Sequence, residues 1–214
     1  MTFNNWKSLN IGGNQLKKLV RASDGLVLFE KQQEEYPNWI CFDYLTPEIT
    51  GTSININFYG SATASLLYSY DRKSWIEINN DYNITIDASH QHVWIKAGPG
   101  GNTTLSTSDS DCITITPVNY DSDINLIKIA VRGNIFSLLD DENFESITSA
   151  PNYCFTNIFT GIYNNRAVLT DASGLILTNG YLKCTNNTFT KMFYGQKYLE
   201  KGPETPLAIE ANTD

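Results

Sequence analysis

At 214 residues, with 41% hydrophobic and 18% charged side chains, the chain is long enough for one large domain or two small ones, each with its own core. A net charge of -8 argues against a nucleic-acid binder, which carries a basic face. No apolar run approaches the roughly 20 residues of a bilayer span, so no membrane insertion is expected. The opening Met1-Thr2-Phe3-Asn4-Asn5-Trp6-Lys7 lacks the apolar stretch of an export signal. Asn, Thr, Ser and Tyr replace the missing charged residues, a mixture that favours strands and turns.

Residues 1–31 predict a short β unit. Apolar-rich runs at 16–21 and 26–31 flank Ala22-Ser23-Asp24-Gly25, whose Asp-Gly pair suits a tight hairpin. Lys7, Lys17, Lys18, Arg21 and Lys31 outnumber Asp24 and Glu30, which makes this arm basic on an otherwise acidic chain. Such an arm suits an acidic partner surface, and it equally suits a solvated strand pair. An isolated hairpin is barely stable in water, so the unit needs a sheet or partner to lean on. Lys17, Lys18, Arg21, Leu26, Leu28 and Phe29 are therefore the expected anchor contacts. The polar Gln32-Gln33-Glu34-Glu35-Tyr36-Pro37 reads as a linker.

Positions 38–133 read as a mainly β domain, an antiparallel β-sandwich. Ile54-Asn55-Ile56-Asn57-Phe58 alternates strictly, and further strand signals lie at 66–70, 75–78, 84–86, 93–97, 112–116 and 124–131. Turn residues separate them at the spacing of a sandwich. Positions 134–214 read differently, as a short α/β repeat-like region. Ile135-Phe136-Ser137-Leu138-Leu139 predicts a turn or two of helix. Phe155-Thr156-Asn157-Ile158-Phe159-Thr160-Gly161 then matches Phe189-Thr190-Lys191-Met192-Phe193-Tyr194-Gly195 at an offset of 34 residues. A fixed period of that size is what stacked units give, each burying its apolar face on the next.

The inventory for chemistry is poor, and no enzyme activity is expected. His90 and His92 would share one face of a strand, but no third ligand stands nearby, so neither a metal nor a cofactor is expected. No nucleophile elbow, zinc-protease motif or phosphate loop occurs. Cys41, Cys112, Cys154 and Cys184 are widely spaced and read as reduced, mostly buried thiols. Asp109-Ser110-Asp111 and Asp121-Ser122-Asp123 offer oxygen ligands for calcium, but they are ordinary turn formers as well. Among the aromatics, Tyr68, Tyr70 and Tyr163 are the candidate surface contacts for a glycan or protein. Trp75 and Trp94 fit a core.

Two stretches carry a resemblance to a family. The hairpin from Lys17 to Lys31 resembles the N-terminal units of tail-tip and fibre proteins in phages and prophages of gut bacteria. The run Met192-Phe193-Tyr194-Gly195, followed by Leu199 and Gly202-Pro203-Glu204-Thr205-Pro206-Leu207, is similar to the start of a BspA-like leucine-rich repeat array. The middle stretch, with Leu67-Tyr68-Ser69-Tyr70-Asp71 and Trp75, is similar to the β-domain between those parts, including in crAss-like phages. The resemblance implies a fibre or appendage protein on the head or tail of a tailed bacteriophage. Such a protein is made in the host cytoplasm and assembled into the virion for attachment to the host surface. It further implies a homo-oligomer, commonly a trimer, with capsid or tail proteins as partners and a host surface glycan or protein as target. A carbohydrate-binding or adhesin module of a bacterial surface protein is the rival reading, and a polysaccharide-cleaving spike is a third.

Overall fold

The computed structural model describes residues 37–46, 52–119, 127–161, 167–180, 182–184 and 187–204. It also describes the backbone of short strands at 10–11, 14–15, 18–20, 27–30 and 209–211. The chain forms two compact units, Met1–Tyr36 and Pro37–Asp214.

In the first unit, β1 (Asn10–Ile11) pairs antiparallel with β2 (Asn14–Gln15). Likewise β3 (Lys18–Val20) pairs antiparallel with β4 (Val27–Glu30). Leu19 is in backbone register with Phe29 across the second pair, and the register shifts between Leu19 and Val20. Both arms of the expected hairpin are thus strands, while its Ala22-Ser23-Asp24-Gly25 turn lies outside the described residues. The β1–β2 pair is unforeseen, because two-residue strands are too short to leave a periodic trace.

The second unit runs β5 (Ile40–Tyr44), β6 (Thr52–Phe58), β7 (Leu66–Ser69), β8 (Ile76–Ile78), β9 (Tyr82–Ile86), β10 (His92–Ala97), β11 (Ile113–Val118) and β12 (Ile129–Asn134). Short 3-10 turns follow at Ile135–Leu138 and Phe144–Ser146. Then come β13 (Ser149–Ala150), β14 (Leu169–Ile176), β15 (Leu182–Cys184) and β16 (Ile209–Ala211). The protein is mainly β, and no helix among the described residues is long and apolar enough to cross a membrane.

Six strands make a mixed sheet in the order β14-β12-β5-β10-β7-β8, and three make an antiparallel sheet, β11-β6-β9. A third, wholly parallel sheet holds β13-β15-β16. Three expectations are corrected. Within 38–133 every described strand pair is antiparallel, as expected, but β14, from the repeat-like stretch, joins the large sheet parallel to β12 and makes that sheet mixed. The strand expected over 124–131 is β12, which runs on to Asn134. The repeat-like stretch carries consecutive turns where α structure was expected, and no α-helix occurs among the described residues. Strand β5, central to the large sheet, is one that alternation does not single out, because Asp43 breaks its apolar run.

The registers sort the large sheet's side chains by face. Ile40, Phe42, Val93, Ile95, Leu66, Ile129 and Val131 point one way and are almost wholly buried. The small sheet contributes Ile54, Ile56, Ile84 and Ile86, buried to the same degree. Burying such a side chain contributes about 1.5–3 kcal/mol, which makes these two apolar faces the main source of stability. Gly133 lets β12 run close to the chain before β5. Its φ is +99°, and a Cβ there would lie 2.1 Å from the Trp39 carbonyl oxygen. Asn134 N–H then donates to Asn38 C=O at 2.8 Å.

Candidate functional site

The opposite face of the large sheet gathers the polar chemistry. Adjacent strands place Cys41 and Asp43 of β5 beside His92 and Trp94 of β10 and Arg132 of β12. Arg132 donates from Nε to Asp43 Oδ2 at 2.6 Å and from Nη2 to Asp43 Oδ1 at 3.1 Å, a bidentate pairing. His92 Nδ1 lies 2.7 Å from the same Oδ1, and the Cys41 thiol donates to it at 3.3 Å. The candidate ligand atoms of Cys41, Asp43 and His92 all lie within 4.8 Å of one another. Arg132 Nη2 also reaches Cys41 Sγ at 3.3 Å, so the guanidinium already supplies positive charge at that spot. Burial first, and then the Asp43 carboxylate, push the Cys41 thiol far above its ordinary range. It is a protonated, unreactive thiol and not a nucleophile.

Along the same face, cations cover tryptophans. The Arg72 guanidinium sits 4.6 Å from the Trp94 ring centre, and Lys96 Nζ lies between Trp39 and Trp75 at 4.7 and 4.5 Å. Lys96 is also paired with Asp141 at 3.0 Å, while the Trp39 indole N–H donates to the Asp141 carbonyl. These rings are roofed by charge, which favours their packing role over open stacking on a ligand. Trp94 is buried as expected; Trp75, just before β8, is half-buried.

The tyrosines cluster where β7 of the large sheet meets β9, an edge strand of the small one. Tyr68 is only 6% exposed, which corrects its reading as a surface contact. Its hydroxyl shares a 3.3 Å hydrogen bond with that of Tyr82. Burial, and then that bond, raise the Tyr68 hydroxyl above its usual range. Tyr70 is half-buried, donates to the Thr85 carbonyl at 2.8 Å, and lies 4.1 Å from the His90 ring. His90 and His92 have different carboxylate partners: Asp87 Oδ1 accepts from the His90 N–H and lies 3.2 Å from its ring Nδ1, whereas His92 pairs with Asp43. Tyr163, Lys17, Arg21 and Leu26 lie outside the described residues. Lys18, Leu28 and Phe29 sit in β3 and β4, where the backbone alone is described. Cys112 and Cys154, like Cys41, are buried and take no part in a disulfide, while the Cys184 side chain lies outside the described residues.

A groove of about 550 Å³ opens between 61–65 and 101–107, lined by hydroxyls and amides such as Ser61, Thr63, Asn79, Asn102 and Thr104. None of its lining residues is charged. At its edge, Asp111 accepts from the Ser61 N–H and the Ser61 and Ser108 hydroxyls, which hold its carboxyl below the usual carboxylate range. Asp109 and Asp111 thus sit in turn structure, while Asp121 and Asp123 are outside the described residues.

The two Phe motifs stack. Phe155 lies over Phe189 with ring centres 5.5 Å apart and planes 9° off parallel, and Phe159 over Phe193 at 5.7 Å and 21°. The N–H groups of Phe155, Asn157, Phe159 and Gly161 donate to the carbonyls of Thr188, Thr190, Met192 and Tyr194 at 2.7–3.1 Å. Each bond spans 33 residues. Gly161 is required by this approach, since a Cβ there would lie 2.5 Å from the Gly195 carbonyl oxygen.

Compared with known proteins, the chain matches no family model, no curated protein and no solved structure.

The union of Cys41, Asp43, His92 and Arg132 escaped sequence reasoning because its members come from three strands far apart in sequence. One trace exists: Cys41 and Asp43 are two apart inside an apolar run, the spacing that puts both on one strand face.

Proposed function

We propose that the protein is a non-catalytic structural and adhesive component of a tailed-phage virion, a fibre or appendage of head or tail. In this reading the large and small sheets form a β-sandwich, and residues 149–211 are stacked coils of a leucine-rich-repeat-like array. The observation that carries it is the 33-residue hydrogen-bond ladder with its two stacked Phe pairs. That ladder supports reading the Phe motifs as repeats, and the repeat is the motif through which the chain resembles phage appendages. The basic hairpin of 1–31 serves as the anchor, and the coils present an outward surface for attachment. Self-association and contact with other virion proteins belong to the same reading. Mass spectrometry of purified particles tests it: the protein should copurify with virions, and a chain lacking residues 1–31 should fold but not join them. Particles that contain none of the full-length protein would overturn the proposal.

A carbohydrate-binding module is the second reading, favoured by the neutral, hydroxyl-lined groove at 61–65 and 101–107. Glycan-array binding that is lost on widening or filling this groove, for a protein absent from particles, would favour it.

A further inference from the structure

The backbone of the coils is asymmetric. Residues with positive φ recur every four positions, at Tyr153 and Asn157 in the first coil and at Asn187, Lys191 and Gly195 in the second. Alternate N–H groups close turns within a coil: Thr156 to Tyr153, Ile158 to Phe155, Thr160 to Asn157, and likewise Thr190 to Asn187 and Met192 to Phe189. The N–H groups between them, at 155, 157, 159 and 161, all point to the next coil. On its other side the first coil offers carbonyls, and the β region already holds them. Thr156 C=O accepts from Ser106 Oγ, Ile158 C=O from the Ile115 N–H of β11, and Thr160 C=O from Thr116 Oγ1, at 2.6–3.1 Å. Strand β11 and two hydroxyls thus seat the stack from below.

Carried one coil further, the same geometry directs the N–H groups of Phe189, Phe193 and Gly195 to the far side of the second coil. The second faces of the Phe189 and Phe193 rings, both half-buried, lie on that side, and neighbouring Tyr194 is 57% exposed. A third layer has already begun there: the backbone of β16 lies parallel on β15, Ile209 in register with Leu182, as β15 lies on β13. We propose that this edge is a docking seat for a further coil of the same turn type, in parallel register, with aromatic side chains four residues apart and a carbonyl row facing the seat. The proposal rests on reading residues 149–211 as stacked coils, and not on where the protein resides.

The chemistry of the edge excludes a second copy as occupant. Two such edges face to face would set donors against donors. A head-to-tail copy would need the Thr156, Ile158 and Thr160 carbonyls, which β11, Ser106 and Thr116 hold. Buried backbone groups are paired in folded proteins, so only an acceptor-bearing coil completes the edge.

Amide hydrogen exchange, residue by residue, tests this. In the full chain, Phe155, Asn157, Phe159 and Gly161 should exchange at least about tenfold more slowly than Phe189, Phe193 and Gly195. Extending the chain after Ala211 with a repeat of residues 185–204 should slow the latter three by about tenfold or more. The same extension with Ser in place of its two Phe residues should not. Slow exchange at Phe189, Phe193 and Gly195 in the unextended chain would overturn the proposal, as would an extension that folds but leaves them fast. Protection that rises with protein concentration together with dimer formation in sedimentation would assign the seat to a second copy, and would equally overturn it. Virion content plays no part in these readouts, so either proposal can fail alone.

Discussion

The paired sheets and the stacked coils solve one problem, the burial of an apolar face, with two different codes. In the sheets the code has period two: Ile54, Ile56, Ile84 and Ile86 alternate with polar residues and are all but sealed. In the coils two periods are nested, four residues for each turn and about 34 for each layer. The turn fixes which N–H groups face along the stack, and the longer period brings like residues over one another. A sheet tolerates change at its outward positions. A coil whose alternate N–H groups and rings all serve the stack tolerates little, and the difference should be measurable.

Phe159 is the position where the two regions meet. It is fully buried, with Phe42 of the large sheet 6.1 Å away on one side and Phe193 of the second coil at 5.7 Å on the other. Phe159→Ala should cost about 3–5 kcal/mol in denaturant unfolding, within a single transition. Phe193→Ala, at a half-buried ring, should cost clearly less. Equal effects would mean that the second coil is packed as tightly as the junction, and would break the comparison.

Gly161→Ala is next. Its Cβ would press on the Gly195 carbonyl at 2.5 Å, a backbone atom with no rotamer to yield, so about 1–3 kcal/mol of overpacking is expected. Gly202→Ala serves as the control, because nothing lies within 4 Å of a Cβ there. It should be neutral or slightly stabilising through the unfolded chain. A penalty at both glycines would show that the cost is conformational, and that the spacing between coils is not what it measures.

The residues show why one code was easier to read than the other. Strict alternation at 54–58 revealed β6, and the Phe-x-x-x-Phe-x-Gly match revealed that the two coils belong together. Strand β5 stayed hidden because Cys41, apolar in composition, blurs the alternation of Ile40-Cys41-Phe42, and Asp43 then breaks the apolar run. The parallel entry of β14 beside β12 stayed hidden too, since chain order does not state which strand a distant segment joins. Tyr68 was misread for a related reason: its phenol looks like a surface handle in sequence, yet Tyr82 from the other sheet covers it and takes its hydrogen bond.

The polar face sharpens the contrast from the sheet side. Arg132→Ala removes both hydrogen bonds to Asp43, whose side chain is only 14% exposed, and should cost about 1–3 kcal/mol. Asp43→Asn in that background should recover part of the loss, because no carboxylate deprived of its guanidinium then remains, only a neutral amide still within reach of His92 and the Cys41 thiol. If the double variant is worse than the single one by the full cost of Asp43→Asn alone, the two residues are not coupled.

The smallest expected effect is that of acid. Asp71 is held down to about 2, first by the Ser74 and Lys73 N–H groups and then by the Ser69 hydroxyl. Asp140 is lowered chiefly by the Asn143 and Glu142 N–H groups, and Asp171 by the Ser173 hydroxyl. A carboxyl whose folded value lies below its unfolded 3.8 adds stability that is complete above that value and is lost as pH falls through the folded one. Stability should therefore be flat above about pH 5 and decline towards pH 2. Asp71 is exposed and Asp140 and Asp171 are half-buried, so each step should be shallow and reduced by solvent screening, most of all at Asp71. Asp71→Asn keeps the shape but removes the charge, and should flatten the lower part of that decline while leaving the plateau slightly lower. Asp71 lies in the turn after β7, whereas Asp171 lies within β14, where Lys201, from the chain after the second coil, pairs with it at 3.2 Å. Asp171→Asn should also flatten the curve by a similar amount. A curve unchanged by Asp71→Asn but altered by Asp171→Asn would show that the turn after β7 is free to reorganise in acid while the contact between β14 and Lys201 is not.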